Sequence, residues 1–187
     1  MKIKQIYTKC LSQASYFVES NGEAAVIDPI REVDQYMQMA KSMRCDIKYI
    51  FQTHFHADFV SGHLTLSKLT DAPIVYGPNA DPEYESIISN DGDIFKLGKV
   101  KFKIIHTPGH TLESCSYLLF DENNKSHSIF TGDTLFLGDV GIPDVAQRYK
   151  GTSKEELASI LYDSVNEKIK PLSDELIVYP GHGAGSA

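Results

Sequence analysis

The stretch Thr53 to His63, T-H-F-H-A-D-F-V-S-G-H, places His54, His56 and Asp58 at alternate positions directly after the apolar run from Ile47 to Gln52. A chain built this way ends a buried strand in a loop on which three potential metal ligands sit together. The join recurs. Thr107-Pro108-Gly109-His110-Thr111 and Thr131-Gly132-Asp133-Thr134 each follow a strand-like run, and Tyr179-Pro180-Gly181-His182-Gly183 comes last. Imidazoles and carboxylates presented from loops at strand ends are what a divalent transition metal needs, because the scaffold fixes the geometry and the loops supply the donors. The pattern is that of a metalloenzyme.

Periodicity fills in the scaffold. Residues 2 to 7 and 14 to 19 read as strands, and Asn21-Gly22 turns the chain into a hairpin partner over 24 to 29. Val33, Tyr36, Met37, Ala40 and Met43 share one helical face, a short helix begins near Ser61, and Pro73 to Tyr76 resumes a strand. Further strands are expected near 100–106, 114–120 and 127–132. Ser153 followed by Glu156 makes a capping box, and Leu157, Ile160, Leu161 and Val165 supply an amphipathic stripe behind it. Strands alternating with helices in both halves, each half carrying ligands, predict two mixed β-sheets packed face to face with helices outside, an α/β fold of αββα type. No low-complexity segment or linker divides residues 1–187, which reads as a single domain.

Composition narrows the partners. A formal charge of −7 disfavours a nucleic-acid or anionic-membrane surface, since those attract basic patches, and leaves a small molecule as the expected substrate. The 3 cysteines, Cys10, Cys45 and Cys115, are widely spaced, so neither a disulfide framework nor a zinc knuckle is expected, and a reducing cytoplasm is the expected location. The opening residues alternate in polarity and no run has the length of a membrane helix. Outside the motifs, His63, His106 and His127 read as structural or surface residues, Cys115 as a buried hydrophobe, and Met37, Met39 and Met43 as helix-face residues.

The four motifs, H-F-H-A-D at 54–58, T-P-G-H-T at 107–111, T-G-D-T-L-F at 131–136 and P-G-H-G at 180–183, resemble those of the metallo-β-lactamase superfamily. Leu11 to Tyr16, Gly138 to Asp144 and Gly181 to Ser186 resemble the persulfide dioxygenases, particularly the bacterial branch often fused to rhodanese domains. That resemblance implies one Fe(II) per chain held by His54, His110 and Asp133, which would also be the catalytic set, with zinc as a substitute metal. Two imidazoles and a carboxylate match the facial triad of non-haem iron oxygenases. His56, Asp58 and His182 would then stand behind the ligands or serve a second metal. The implied reaction oxidises a low-molecular-weight persulfide, such as glutathione persulfide, with O2 to sulfite and free thiol, with a rhodanese-type sulfurtransferase as an expected partner.

Phe59 bears on the number of metals the motif can hold. Dinuclear zinc hydrolases of the superfamily usually carry histidine there, and phenylalanine supplies no nitrogen to a second metal. The alternatives are a zinc-dependent hydrolase of the glyoxalase II or β-lactamase type, in which metal-bound hydroxide attacks a carbonyl, and a non-catalytic metal-binding module. Two departures from the family pattern bear on substrate. Ile142 stands where that branch commonly has arginine, and Arg148, Tyr149 and Lys150 nearby are the candidate replacements for substrate contact. The chain stops soon after Gly-His-Gly, where relatives continue, so a domain shortened at its C-terminus is expected.

Overall fold

The computed structural model describes residues 1–143, 151–183 and 185. Two sheets form the frame. The first has six strands in the order β1 to β6, namely Lys2–Thr8, Gln13–Ser20, Glu23–Ile27, Asp46–Phe51, Ile74–Tyr76 and Ile87–Ile88. Its first three strands are antiparallel and the rest run parallel to β3. The second sheet contains β7 (Ile94–Leu97), β8 (Val100–His106), β9 (Cys115–Phe120), β10 (Ser126–Gly132) and β11 (Ile177–Pro180), in the order β11-β10-β9-β8-β7. Only the β10–β11 pair is parallel in this sheet. Both sheets are therefore mixed, and the expected αββα sandwich is what the chain forms.

Side-chain alternation along a strand explains why the layers close. In β2, Tyr16 and Val18 face the second sheet while Phe17 faces the helices; in β3, Ala25 and Ile27 point inward and Ala24 and Val26 outward. Between the sheets lie Phe51, Phe102, Tyr117 and Phe130, with the Phe51 and Tyr117 rings 4.7 Å apart. Helix α1 (Asp34–Met43) and helix α2 (His63–Thr70) cover the outer face of the first sheet through Tyr36, Ala40 and Leu66. On the outer face of the second sheet, Ile105, Leu118 and Ile129 meet Ile169. Strands covered on both faces are buried almost throughout, which is why β3 reads as a near-continuous apolar run and why even Gln13 and Ser15 of β2 are buried.

Helix α3 (Lys154–Asp163) starts at the predicted capping box: Glu156 N–H donates to Ser153 Oγ at 3.1 Å, and Ser153 N–H donates to Glu156 Oε2 at 2.7 Å. The predicted stripe runs to Val165, but the α-helix stops at Asp163 and widens into a π-helical turn over Ser164–Ile169. There the Ser164 hydroxyl donates to the Pro108 carbonyl at 2.7 Å, tying this element to the loop that carries His110.

Gly109, with φ +136°, is where the tie is closest: a Cβ added there would overlap the backbone of Leu161 in α3. Both the backbone conformation and the contact demand glycine. We expect Gly109→Ala to lower the unfolding free energy by about 3 kcal/mol, from strain and overpacking together, as read by urea denaturation. A loss below about 0.5 kcal/mol, the range of ordinary surface changes, would refute this close contact.

Candidate metal centre

Every ligand loop leaves the carboxyl end of a strand, and all these ends gather at one rim of the sandwich. Asp28 follows β3, His54 and Asp58 follow β4, His110 follows β8, Asp133 follows β10 and His182 follows β11. The topology thus brings to one place residues from both halves of the chain.

His54, His110 and Asp133 converge, with one donor atom from each lying within 4.8 Å of the others. Asp133 Oδ2 is 3.9 Å from His54 Nε2 and 3.6 Å from His110 Nε2, beyond ordinary hydrogen-bond reach. The outer nitrogens explain this spacing. His110 Nδ1 donates to the Ile142 carbonyl at 2.8 Å, which leaves Nε2 as a lone pair facing the cavity. For His54 the logic runs through two residues. The Thr53 hydroxyl donates to Asp28 Oδ2 at 2.8 Å, so its oxygen accepts from His54 Nδ1 at 2.9 Å, and Nε2 is again unprotonated. Burial, reinforced by the neighbouring His56, pushes the His54 pKa down to about 3, so the ring stays neutral. Two lone pairs and one carboxylate at this separation fit a divalent metal.

Asp133 is held ionised. Burial works to raise its pKa, but the hydrogen bond from His182, with the nearby His54, brings it down to about 2. His182 sits between two carboxylates, with Nδ1 2.9 Å from Asp133 Oδ1 and Nε2 2.9 Å from Asp58 Oδ2. Those two bonds raise its pKa to about 10, so it donates from both nitrogens. Gly181 permits the approach, since a Cβ there would collide with Asp133 Oδ1.

His56 lies apart from the converging triad. Its Nε2 is 3.0 Å from Asp28 Oδ1, but the N–H is poorly aligned for a hydrogen bond, and its ring packs tilted against that of Phe59 with centroids 4.4 Å apart. Burial opposes a charge on this ring, yet the Asp28 carboxylate prevails and raises its pKa. Arg148, Tyr149 and Lys150 lie outside the described residues.

Asp28 is the residue that the motif reading passed over. It is buried, adopts a left-handed φ of 49°, and receives both the N–H and the hydroxyl of Thr53. Its signal in the sequence is an acid closing the apolar run Ala24–Ile27 immediately before a proline. Glu113, also buried, accepts the Phe55 N–H at 3.2 Å and anchors the same loop. Two histidines outside the cluster have local partners: His63 Nε2 lies 2.8 Å from the Tyr84 hydroxyl, and His106 Nε2 lies 3.0 Å from the Leu112 carbonyl. Cys115 is buried and its thiol pKa is pushed up to about 12 by that burial, so it packs rather than reacts.

A cavity of about 430 Å³ opens over the triad, walled by the metal-facing residues on one side and by Phe55, Phe136, Val140 and Ile142 on the other. Fold and site together define an αββα sandwich whose candidate metal donors sit at the strand ends of two facing sheets. Residues 8–182 match the model of the metallo-beta-lactamase superfamily, and the chain belongs to that superfamily.

Among relatives, a hydroxyacylglutathione hydrolase of Dictyostelium discoideum is 33% identical over 176 residues, covering 90% of this chain and 61% of its own. A metallo-beta-lactamase structure from Staphylococcus aureus superposes with a TM-score of 0.88 at 38% identity, over 100% of this chain and 57% of that one. The structure of ETHE1 from Myxococcus xanthus gives 0.85 at 31% identity, over 100% and 78%. The chain spans about 60% of the length of the first curated relatives it matches.

These relatives correct the expected iron-dependent persulfide oxidation. Curated relatives from yeast, slime mould, plant and bacteria are named hydroxyacylglutathione hydrolases, which favours the hydrolase alternative. The physical reason for the error is that two imidazoles and a carboxylate accept zinc as readily as iron. Iron in particular is therefore not assigned. Among the described residues, no helix is long and apolar enough to cross a membrane.

Proposed function

We propose that the protein is a metal-dependent thioester hydrolase whose single metal is held by His54, His110 and Asp133. The observation that carries this reading is the convergence of two tautomer-locked imidazoles and an ionised carboxylate beneath an open cavity. The names of the curated relatives support the same reaction class. When bound, such a metal supplies Lewis acidity and lowers the pKa of a coordinated water.

The chain's own groups do the rest. Overall, water adds its oxygen to the thioester carbonyl carbon, the C–S bond breaks, and a carboxylic acid and a thiol leave. Asp58 lines the cavity and holds His182 Nε2–H through its Oδ2, which places a carboxylate beside the triad to take a proton from the attacking water. His182 bridges Asp58 to Asp133 and so fixes both carboxylates. Phe55 and Phe136 keep part of the cavity wall dry.

The test is release of free thiol from S-lactoylglutathione and from simple acyl thioesters, followed with a thiol reagent, for protein loaded with zinc or with iron and for chelator-treated protein. Metal-dependent release supports the proposal; intact thioester in every metal form overturns it. The one-metal account makes a further prediction. Phe59→His should raise bound zinc from about one toward two per chain, because it restores an imidazole donor beside Asp58. Unchanged stoichiometry by elemental analysis would remove Phe59 as the reason for a single metal.

A further inference from the structure

The catalytic cavity does not end over the triad. A second cavity of about 260 Å³ lies between the 140–143 loop and α3, and it shares Val140 and Gly141 with the first as a common wall. Its lining is Val140, Pro143, Ala158, Leu161, Tyr162 and Val165 with one amide, Asn166. On its wall Tyr162 is 68% exposed, and on the wall of the first cavity Ile142 is 62% exposed. Exposed apolar side chains on the walls of adjoining cavities mark a binding surface more than scattered exposed residues do.

Charge points the same way. Among the described residues that line the catalytic cavity, the carboxylates are Asp58, Asp133 and Asp139, and none is a lysine or arginine. The described cation there, His182, is already bonded to Asp133 and Asp58, so among the described residues an anionic carrier meets carboxylates and a cation that is already paired. An uncharged chain does find apolar walls that begin beside the triad and continue, past Val140 and Gly141, along α3.

Resting on the hydrolase reading, we propose that the substrate thioester carries an unbranched apolar chain that lies in the groove between the 140–143 loop and α3, with Val140 at the junction and Tyr162 along its outer wall. The chain belongs either to the acyl group or to the thiol, and the two are separable by experiment.

The experiment measures kcat/KM for two series on the zinc-loaded protein: acetyl, butanoyl, hexanoyl and octanoyl thioesters of N-acetylcysteamine, and acetyl thioesters of thiols of the same lengths. S-Lactoylglutathione serves as the anionic comparison. We expect kcat/KM to rise about two- to fourfold per methylene in one series until the groove is filled, and to exceed that for S-lactoylglutathione. Binding of a non-hydrolysable octyl thioether, read by calorimetry, should weaken about tenfold in Tyr162→Glu and be retained in Tyr162→Phe. A flat response in both series, or preference for S-lactoylglutathione, would overturn the groove while leaving thioester hydrolysis standing. Thioether binding that Tyr162→Glu weakens, without hydrolysis of any thioester, would sustain the groove and defeat the hydrolase reading. Neither binding nor hydrolysis would defeat both.

Discussion

His110→Ala should lose both metal and turnover, with bound zinc falling to a small fraction of one per chain and kcat/KM dropping about a thousandfold, beyond the 10–100-fold typical of residues behind the ligands. The expectation follows from the donor count. Among the described residues three donors converge, so losing one imidazole leaves a single nitrogen and a carboxylate, and two donors rarely retain a transition metal against dilution. Elemental analysis after gel filtration reads the first quantity, and thiol release reads the second. A denaturation curve on the variant separates this from misfolding, because His110 is a loop residue outside the core clusters. Full metal occupancy in His110→Ala would sink the assignment of the triad.

The second large effect is expected one step further out. Thr53→Val keeps the side-chain shape but removes the oxygen that accepts from His54 Nδ1 and donates to Asp28. Without that acceptor the His54 ring is free to rotate or to carry its proton on Nε2, where a metal needs a lone pair. Zinc affinity should fall about 10–100-fold, measured by competition with a chromophoric chelator. Thr53→Ser keeps the hydroxyl and should recover most of it. A merely structural role would give the same unfolding loss without the rescue in affinity, and equal affinity in all three proteins would dismiss the relay.

Much of this site was legible in the sequence because its ligands announce themselves locally. His54, His110 and Asp133 each follow a strand within a few residues, so a strand prediction and a motif reading coincide. The same locality made α3 secure, since its capping box closes within four residues. What was missed depends on distance along the chain. Asp28 acts on Thr53, 25 positions away, and nothing in its own neighbourhood says so. Strands β6 and β7 escaped because β6 has two exposed isoleucines and β7 only four residues, too short for a periodic signal. Strand β11 ends in a proline and makes sense only once β10 lies alongside it. The reaction was read wrongly for a related reason: a donor set fixes which kinds of metal fit, while the chemistry is set by what the cavity admits.

His182 has a consequence for how the protein comes together. It leaves the last strand of the second sheet, grips Asp133 from that sheet with one nitrogen, and with the other reaches Asp58 on the loop that leaves the first sheet. Its two bonds thus span the seam of the sandwich, and neither sheet alone contains the triad. A metal that binds there recognises only the fully docked pair, so occupancy shifts the folding equilibrium toward that arrangement. The centre acts as a clasp, and competence to bind its ion is the same event as the two halves finding their final register.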